Sequence, residues 1–410
     1  MSTASPAALR ARTAVYAAFV LNGFFMSTWV ARIPSVRDTL DLSNGGMSLL
    51  LLAFSLGSVL AMPIAGAVVL RFGRARTVFG GSVVVALGLL VVSVSVDGFG
   101  SVPPTALGLF AAGAGVASWD VAMNVEGSAV ERRLDRAIMS RFHAAWSLGS
   151  VASAGISVLL LKVGVPTWAH LCAVGVLVVL GTTVLTRSFL GEAAPATAGE
   201  QPRAGISLGQ AWREPRTLLI GVLVLCMAFV EGTANDWLAL GLIDGHDVSH
   251  SAGVAGFTVF VVAMTCGRLV GPVALQRLGR VPALRLSAGV AAVGVGVFVV
   301  APNVTVAVVG ALLWGLGAAL GFPTGMSAAG DEEANAAVRV SVVSSVGYTA
   351  FLAGPPLVGL LADHTGVVHA VTAAAVASVV ALFVAAAARP HADGVALGAG
   401  GAAAEGKLSS

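Results

Sequence analysis

The chain has 410 residues, 57% of them hydrophobic and only 10% charged, against about 25% charged in a soluble domain. That balance excludes an ordinary soluble enzyme, and a formal net charge of +3 is too small to mark a nucleic-acid binder. The three cysteines, Cys172, Cys226 and Cys266, sit in apolar runs without metal-ligand spacing, so neither a disulfide framework nor a metal is expected.

Twelve apolar runs follow one another along the chain, at 13–31, 45–69, 77–96, 104–126, 141–162, 167–187, 217–241, 252–275, 283–301, 304–329, 340–362 and 367–388. Each is close to the roughly 20 residues that a helix needs to cross a bilayer. The first follows Arg10 and Arg12 and superficially resembles a signal peptide, but it is long for a signal core, so an uncleaved first span is expected. The spacing predicts an all-α membrane protein of twelve transmembrane helices in two six-helix halves. An N-terminal tail (1–12) precedes one half (13–187). A polar linker (188–216) leads to the second (217–388), and an Ala/Gly-rich tail (389–410) reads as disordered.

In the first span, Asn22 is a polar residue at mid-depth, Trp29 suits either a solute contact or the interfacial belt, and Arg32 at its far end reads as surface-exposed. After the second span comes Gly66-Ala67-Val68-Val69-Leu70-Arg71-Phe72-Gly73-Arg74-Ala75-Arg76. In the fourth, Asp120 and Asn124 lie one turn apart on one face. A carboxylate at the centre of a span costs roughly 2.5–3.5 kcal/mol on insertion scales, so Asp120 is a candidate for proton coupling or solute contact. The alternative is a structural hydrogen bond across helices. Glu126, nearer the loop, is expected to pair with Arg132 or Arg133. The fifth span opens with Phe142-His143-Ala144-Ala145-Trp146-Ser147-Leu148-Gly149. His143 titrates near neutral pH and is either a proton relay or a loop anchor, and Trp146 stands beside it. In the seventh, Glu231-Gly232-Thr233-Ala234-Asn235-Asp236-Trp237 offers carboxylates, an amide and an indole to a polar solute. The alternative for Trp237 is again the belt. Arg268 in the eighth span needs a carboxylate partner, an anionic solute or a route to the interface. Ser341, Ser345 and Tyr348 share a face of the eleventh.

Nineteen of the 23 Lys and Arg fall in alternate loops or the tails. This is the positive-inside pattern, and it places both termini and the linker in the cytoplasm. The loop Arg71-Phe72-Gly73-Arg74 returns as Arg277-Leu278-Gly279-Arg280 between spans eight and nine, as expected for a duplicated six-helix unit.

Twelve spans with this basic, glycine-containing loop resemble the Major Facilitator Superfamily. Gly66, Arg71, Gly73 and Arg74 match its loop signature, while Leu70 stands where the family usually has Asp. The blocks Asp120–Glu126, Phe142–Gly149 and Glu231–Trp237 resemble the YbjJ-type branch of bacterial inner-membrane carriers, which is distantly similar to fucose–proton symporters. The resemblance implies alternating-access transport of a small organic solute by a multi-pass plasma-membrane protein. Proton symport is preferred over proton-antiport efflux of a drug or metabolite. Two features typical of drug–proton antiporters are missing: an Arg in Ala106–Ala112, and a Gly-Pro motif in the fifth span. A non-transporting membrane sensor is the remaining alternative. There is no phosphate loop and no nucleophile–base constellation. The expectation is therefore not an enzyme, no cofactor, and a monomer whose partners are solute, protons and lipid.

The charge asymmetry generates a topological test. A reporter fused after Arg389 should read as cytoplasmic and one fused near Asp244 as exterior. The reverse pair of results would overturn the assignment.

Overall fold

The structure is a computed structural model that describes residues 5–42, 44–191, 205–248 and 250–390. The tail beyond 390, to which the sequence assigns disorder, and residues 192–204 of the polar linker lie outside these residues. Twelve helices are long and apolar enough to span a bilayer: α1 Pro6–Thr39, α2 Leu49–Phe72, α3 Arg74–Gly98, α4 Val102–Leu134, α5 Met139–Lys162, α6 Thr167–Ser188, α7 Pro215–His246, α8 Ala255–Leu278, α9 Arg280–Val299, α10 Val304–Ala329, α11 Ala336–Thr365 and α12 Val367–Ala388.

Several helices outrun the apolar stretches that predicted them. The first begins at Pro6 instead of 13, because Ser5 caps it by accepting a hydrogen bond from the Ala8 N–H, and Pro6 fits the first helical position. Residues 6–12 are therefore helix and not tail, with Ala8 and Ala11 buried. Helix α10 is interrupted by a turn at residues 319–320, where Pro323 cannot donate back to Ala319.

The halves are built alike. In the first half α4 packs against α2 and α3, α1 against α5, and α3 against α6. In the second half α10 packs against α8 and α9, α7 against α11, and α9 against α12. The duplicated loop is also duplicated in conformation: Gly73 and Gly279 both have φ 82° and sit just ahead of a helix. That left-handed region favours glycine, so the recurrent Gly-Arg is a turn requirement. Within each half, small residues bring helix backbones together. A Cβ on Gly81 would meet the Gly115 carbonyl at 2.7 Å, and one on Gly310 would meet the Phe298 backbone at 2.6 Å. Outward-facing Leu60, Leu87, Leu159, Leu180 and Leu360 are exposed, as hydrocarbon-facing residues should be.

The two halves meet through α2 against α11 and α5 against α8. They are tied together at the end that carries the basic loops. Ser341 donates to the Met62 carbonyl and lies 3.1 Å from that of Pro63. Arg141 Nε donates to the Leu269 carbonyl at 3.3 Å. Arg132 caps the end of α10 by donating to the Gly330 carbonyl, and Ser327 donates to Glu131. Glu131 also accepts the Ile138 and Met139 N–H groups at 2.6 and 2.7 Å, at the start of α5. Just outside α7, burial acts to raise the Glu214 carboxyl, but the Arg339 fork and the Thr217 hydroxyl outweigh it and hold it below the usual carboxylate range.

Gly66 sits in the α2–α11 seam. A Cβ there would meet the Ala337 carbonyl at 2.5 Å and Ser341 Cβ at 2.8 Å. Gly66→Val should therefore part the halves at the basic end while leaving each half folded. A cysteine at Ser341 should react faster with a hydrophilic maleimide in this variant; an unchanged rate would count against the seam.

Candidate functional site

Midway along the spans, polar side chains from both halves gather between α1, α4, α5, α7, α8 and α11. Asn22 of α1 is buried, and its Oδ1 accepts the Trp146 indole N–H at 2.9 Å. Its Nδ2 has no partner. The pair forms because Gly23 lets α1 lie directly on the Trp146 backbone. Asn124 of α4 turns its Nδ2 back to the Asp120 carbonyl at 2.9 Å and presents Oδ1 to His143 Nε2 at 3.3 Å. His143 stands edge-on to Phe19 of α1, with ring centroids 5.0 Å apart, and to Phe322 of α10 at 5.4 Å. It therefore touches both halves.

Asp120 is 6% exposed. The Tyr348 side chain of α11 lies beside its carboxylate from across the interface, while Oδ2 has no hydrogen-bond partner. Among the described residues no cation pairs with it. Glu231 of α7 behaves differently. It holds Arg268 of α8 at 2.8 Å, and Arg268 Nη1 reaches over to the Ser147 hydroxyl of α5 at 3.0 Å. That single arginine touches both halves, and it is only 3% exposed.

Past Glu231, residues Ala234–Leu238 of α7 form a π-helical segment, a rare irregularity often found at functional sites. Asn235 and Asp236 are exposed there, on the side away from the basic loops, and Trp237 is half-buried against α11 near Gly359. Asn22, Asp120, Asn124, His143, Trp146 and Glu231 are thus brought to one level between the halves. Asn235, Asp236 and Trp237 lie above it.

The loop residues act lower down. Gly66 is in the seam and Gly73 in the turn, while Arg71 lies over the Phe72 ring at 5.6 Å. Arg74 pairs with Glu126 at 2.9 Å and donates to the Leu190 carbonyl at 3.1 Å. Glu126 also accepts the Leu190 N–H at 2.6 Å. The expected partners Arg132 and Arg133 are replaced by Arg74, because the turn at Gly73 aims that side chain back under α4. The equivalent Arg280 forks onto Asp331 at 2.8 and 3.0 Å.

Two expectations for α1 are corrected. Arg32 is not on the surface: it is 2% exposed, and its Nε donates to His170 Nδ1 of α6 at 3.0 Å. The helix continues to Thr39 and keeps Arg32 between α1 and α6. Trp29, 2% exposed, is a core residue and not part of a belt. For Arg268 the carboxylate partner, one of the alternatives given for it, is what it has, while Ser147, Tyr348 and the aromatic floor of Phe19 and Phe322 were left out of the site. The signal for Arg268 was present, because it is an arginine that no loop accounts for.

A sequence model of the Major Facilitator Superfamily matches residues 15–332. The chain is 31% identical over 353 residues to an uncharacterized MFS-type transporter of Yersinia pestis, covering 84% of this chain and 87% of that one. It is 26% identical over 355 residues to the membrane protein MosC of Rhizobium meliloti, covering 86% and 84%. Among solved structures it is similar to the fucose:proton symporter FucP of E. coli, with a TM-score of 0.76 at 15% identity, covering 92% and 98%. It is also similar to the proton:xylose symporter XylE, with a TM-score of 0.70 at 13% identity, covering 93% and 95%.

The geometry separates a structural carboxylate from an unpaired one. Glu126→Gln breaks a buried ion pair and should cost roughly 3–5 kcal/mol of stability. Asp120→Asn breaks no ion pair among the described residues and should cost less than about 1 kcal/mol. Denaturant unfolding of the detergent-purified variants checks this, and equal losses would contradict it.

Proposed function

The chain belongs to the Major Facilitator Superfamily, and from that premise we propose that it carries a small polar organic solute across the plasma membrane in symport with protons. The halves would rock about the central site by alternating access. Asp120 is the observation that carries the proton part of the reading. It is a buried carboxylate that no cation pairs with among the described residues, set beside a tyrosine of the opposite half, in a place where a permanent charge is expensive. Taking up a proton removes that cost, and with Tyr348 of the other half beside it both halves sense the change. The similarity in fold to the fucose:proton symporter FucP and the proton:xylose symporter XylE supports the same reading.

In this reading Asn22, Trp146, Asn124, His143 and Glu231 form the solute level, with Asn235, Asp236 and Trp237 at its entrance. The indole and amide pair of Trp146 and Asn22 offers a flat apolar face and an unused N–H pair to a polar solute. The basic loops lie in the cytoplasm, with both termini, so the ties at that end close the site toward the cytoplasm. One chain supplies the whole site and acts as a monomer.

A screen of solute uptake in proteoliposomes, with and without an imposed pH gradient, tests the function. Asp120→Asn should abolish gradient-driven accumulation yet retain counterflow exchange, since exchange need not move a proton. Normal accumulation by this variant would remove Asp120 as the coupling group and leave His143 as the next candidate. Loss of exchange as well would make Asp120 a solute contact.

A further inference from the structure

The Arg268–Glu231 pair is incompletely made. An arginine presents its Nε and Nη2 side by side, an edge that fits both oxygens of one carboxylate. Glu231 meets only Nη2, at 2.8 Å, and the neighbouring Nε is buried without any hydrogen-bond partner. Nη1 is taken by the neutral hydroxyl of Ser147. The guanidinium is thus compensated by one carboxylate, held through one nitrogen, at the level where the halves meet. The two partners are unequally enclosed: the Arg268 side chain is 4% exposed and that of Glu231 is 14%. Glu231 is the partner with room to move. A bare guanidinium in this place is strongly disfavoured, so any group that displaces Glu231 must itself be anionic.

We propose that the transported solute carries a carboxylate, that this group takes the Nε–Nη2 edge of Arg268, and that Glu231 is the resident counter-ion it displaces. This rests on the transport reading above and names the solute class for the same site: small organic acids. Glu231 acts as a placeholder that keeps Arg268 satisfied when no solute is bound, and Ser147 makes the opposite half part of the anion's seat. A solute that engages both nitrogens outcompetes a side chain that engages one.

The test uses the full chain purified in detergent, with thermal unfolding read in the presence of two matched pairs of probes: gluconate against sorbitol, and lactate against lactamide. The carboxylates should raise the Tm and their neutral counterparts should not. Glu231→Gln removes the competitor and keeps its shape. It should unfold at a lower temperature when empty, yet bind gluconate about tenfold more tightly than the wild type, a difference of about 1.4 kcal/mol. Because Arg268→Gln alone strands Glu231, the control is the double variant Glu231→Gln/Arg268→Gln, which carries neither charge and should lose the carboxylate response. Four outcomes overturn the proposal: no response to either acid, an equal response to sorbitol or lactamide, weaker gluconate binding by Glu231→Gln, or an unchanged response in the double variant. Binding in detergent involves no gradient, so failure here leaves proton-driven accumulation to be judged by its own experiment.

Discussion

A charge carried into hydrocarbon has to be matched or neutralised where it stands, and the arrangement of this molecule follows from how each buried charge meets that demand. Glu126 and Glu131 meet it with several partners each, although Oε2 of Glu126 has its ion pair and no hydrogen bond. The first is held by Arg74 and a backbone N–H, and the second by two backbone N–H groups and a serine hydroxyl. Such groups are fixed points, and they sit where helices end and loops begin. Asp120 and Arg268 meet the demand only in part, each with an unpartnered atom, and both lie between the halves. The incomplete ones are where chemistry has room to act.

The pairing of helices shows how a duplicated unit makes such a place. Each half closes its own core through the same set of helix contacts, and residues such as Gly81, Gly115 and Gly310 let those backbones approach. Inside the first half, Arg32 and His170 bond each other, and each keeps one buried nitrogen without a hydrogen-bond partner. His143 and Arg268 each touch both halves, so a change of state at either is felt by two bodies instead of one.

Much of the fold was legible in the sequence because hydrocarbon imposes a single rule on length and polarity. Span number, the duplication and the Gly73 turn all follow from it. Helix ends were less legible: α1 and α7 run well past their apolar stretches, since capping and packing, not hydropathy, decide where a helix stops. Of the site, Asp120, Asn124 and Glu231 announced themselves by cost alone. The partnerships did not. Nothing in the order of residues says that Arg74 reaches Glu126, that Tyr348 comes to lie beside Asp120, or that Arg32 is buried against His170, because these contacts join helices far apart in the chain. Irregular backbone was equally hidden, as the π-helical segment under Asn235 and Asp236 has no composition of its own.

The seam between α2 and α11 is made almost without charge. Its hydroxyl bonds from Ser341 end on the backbone carbonyls of Met62 and Pro63, and its closeness comes from Gly66. Such contacts carry no net charge for counter-ions to screen, whereas the arginine–carboxylate pairs at Asp331 and Glu214 are partly exposed and are screened within a Debye length of about 8 Å at physiological ionic strength. The closed end is thus layered by its response to salt. Its outermost loops loosen as ionic strength rises, while the seam beneath them keeps its hold.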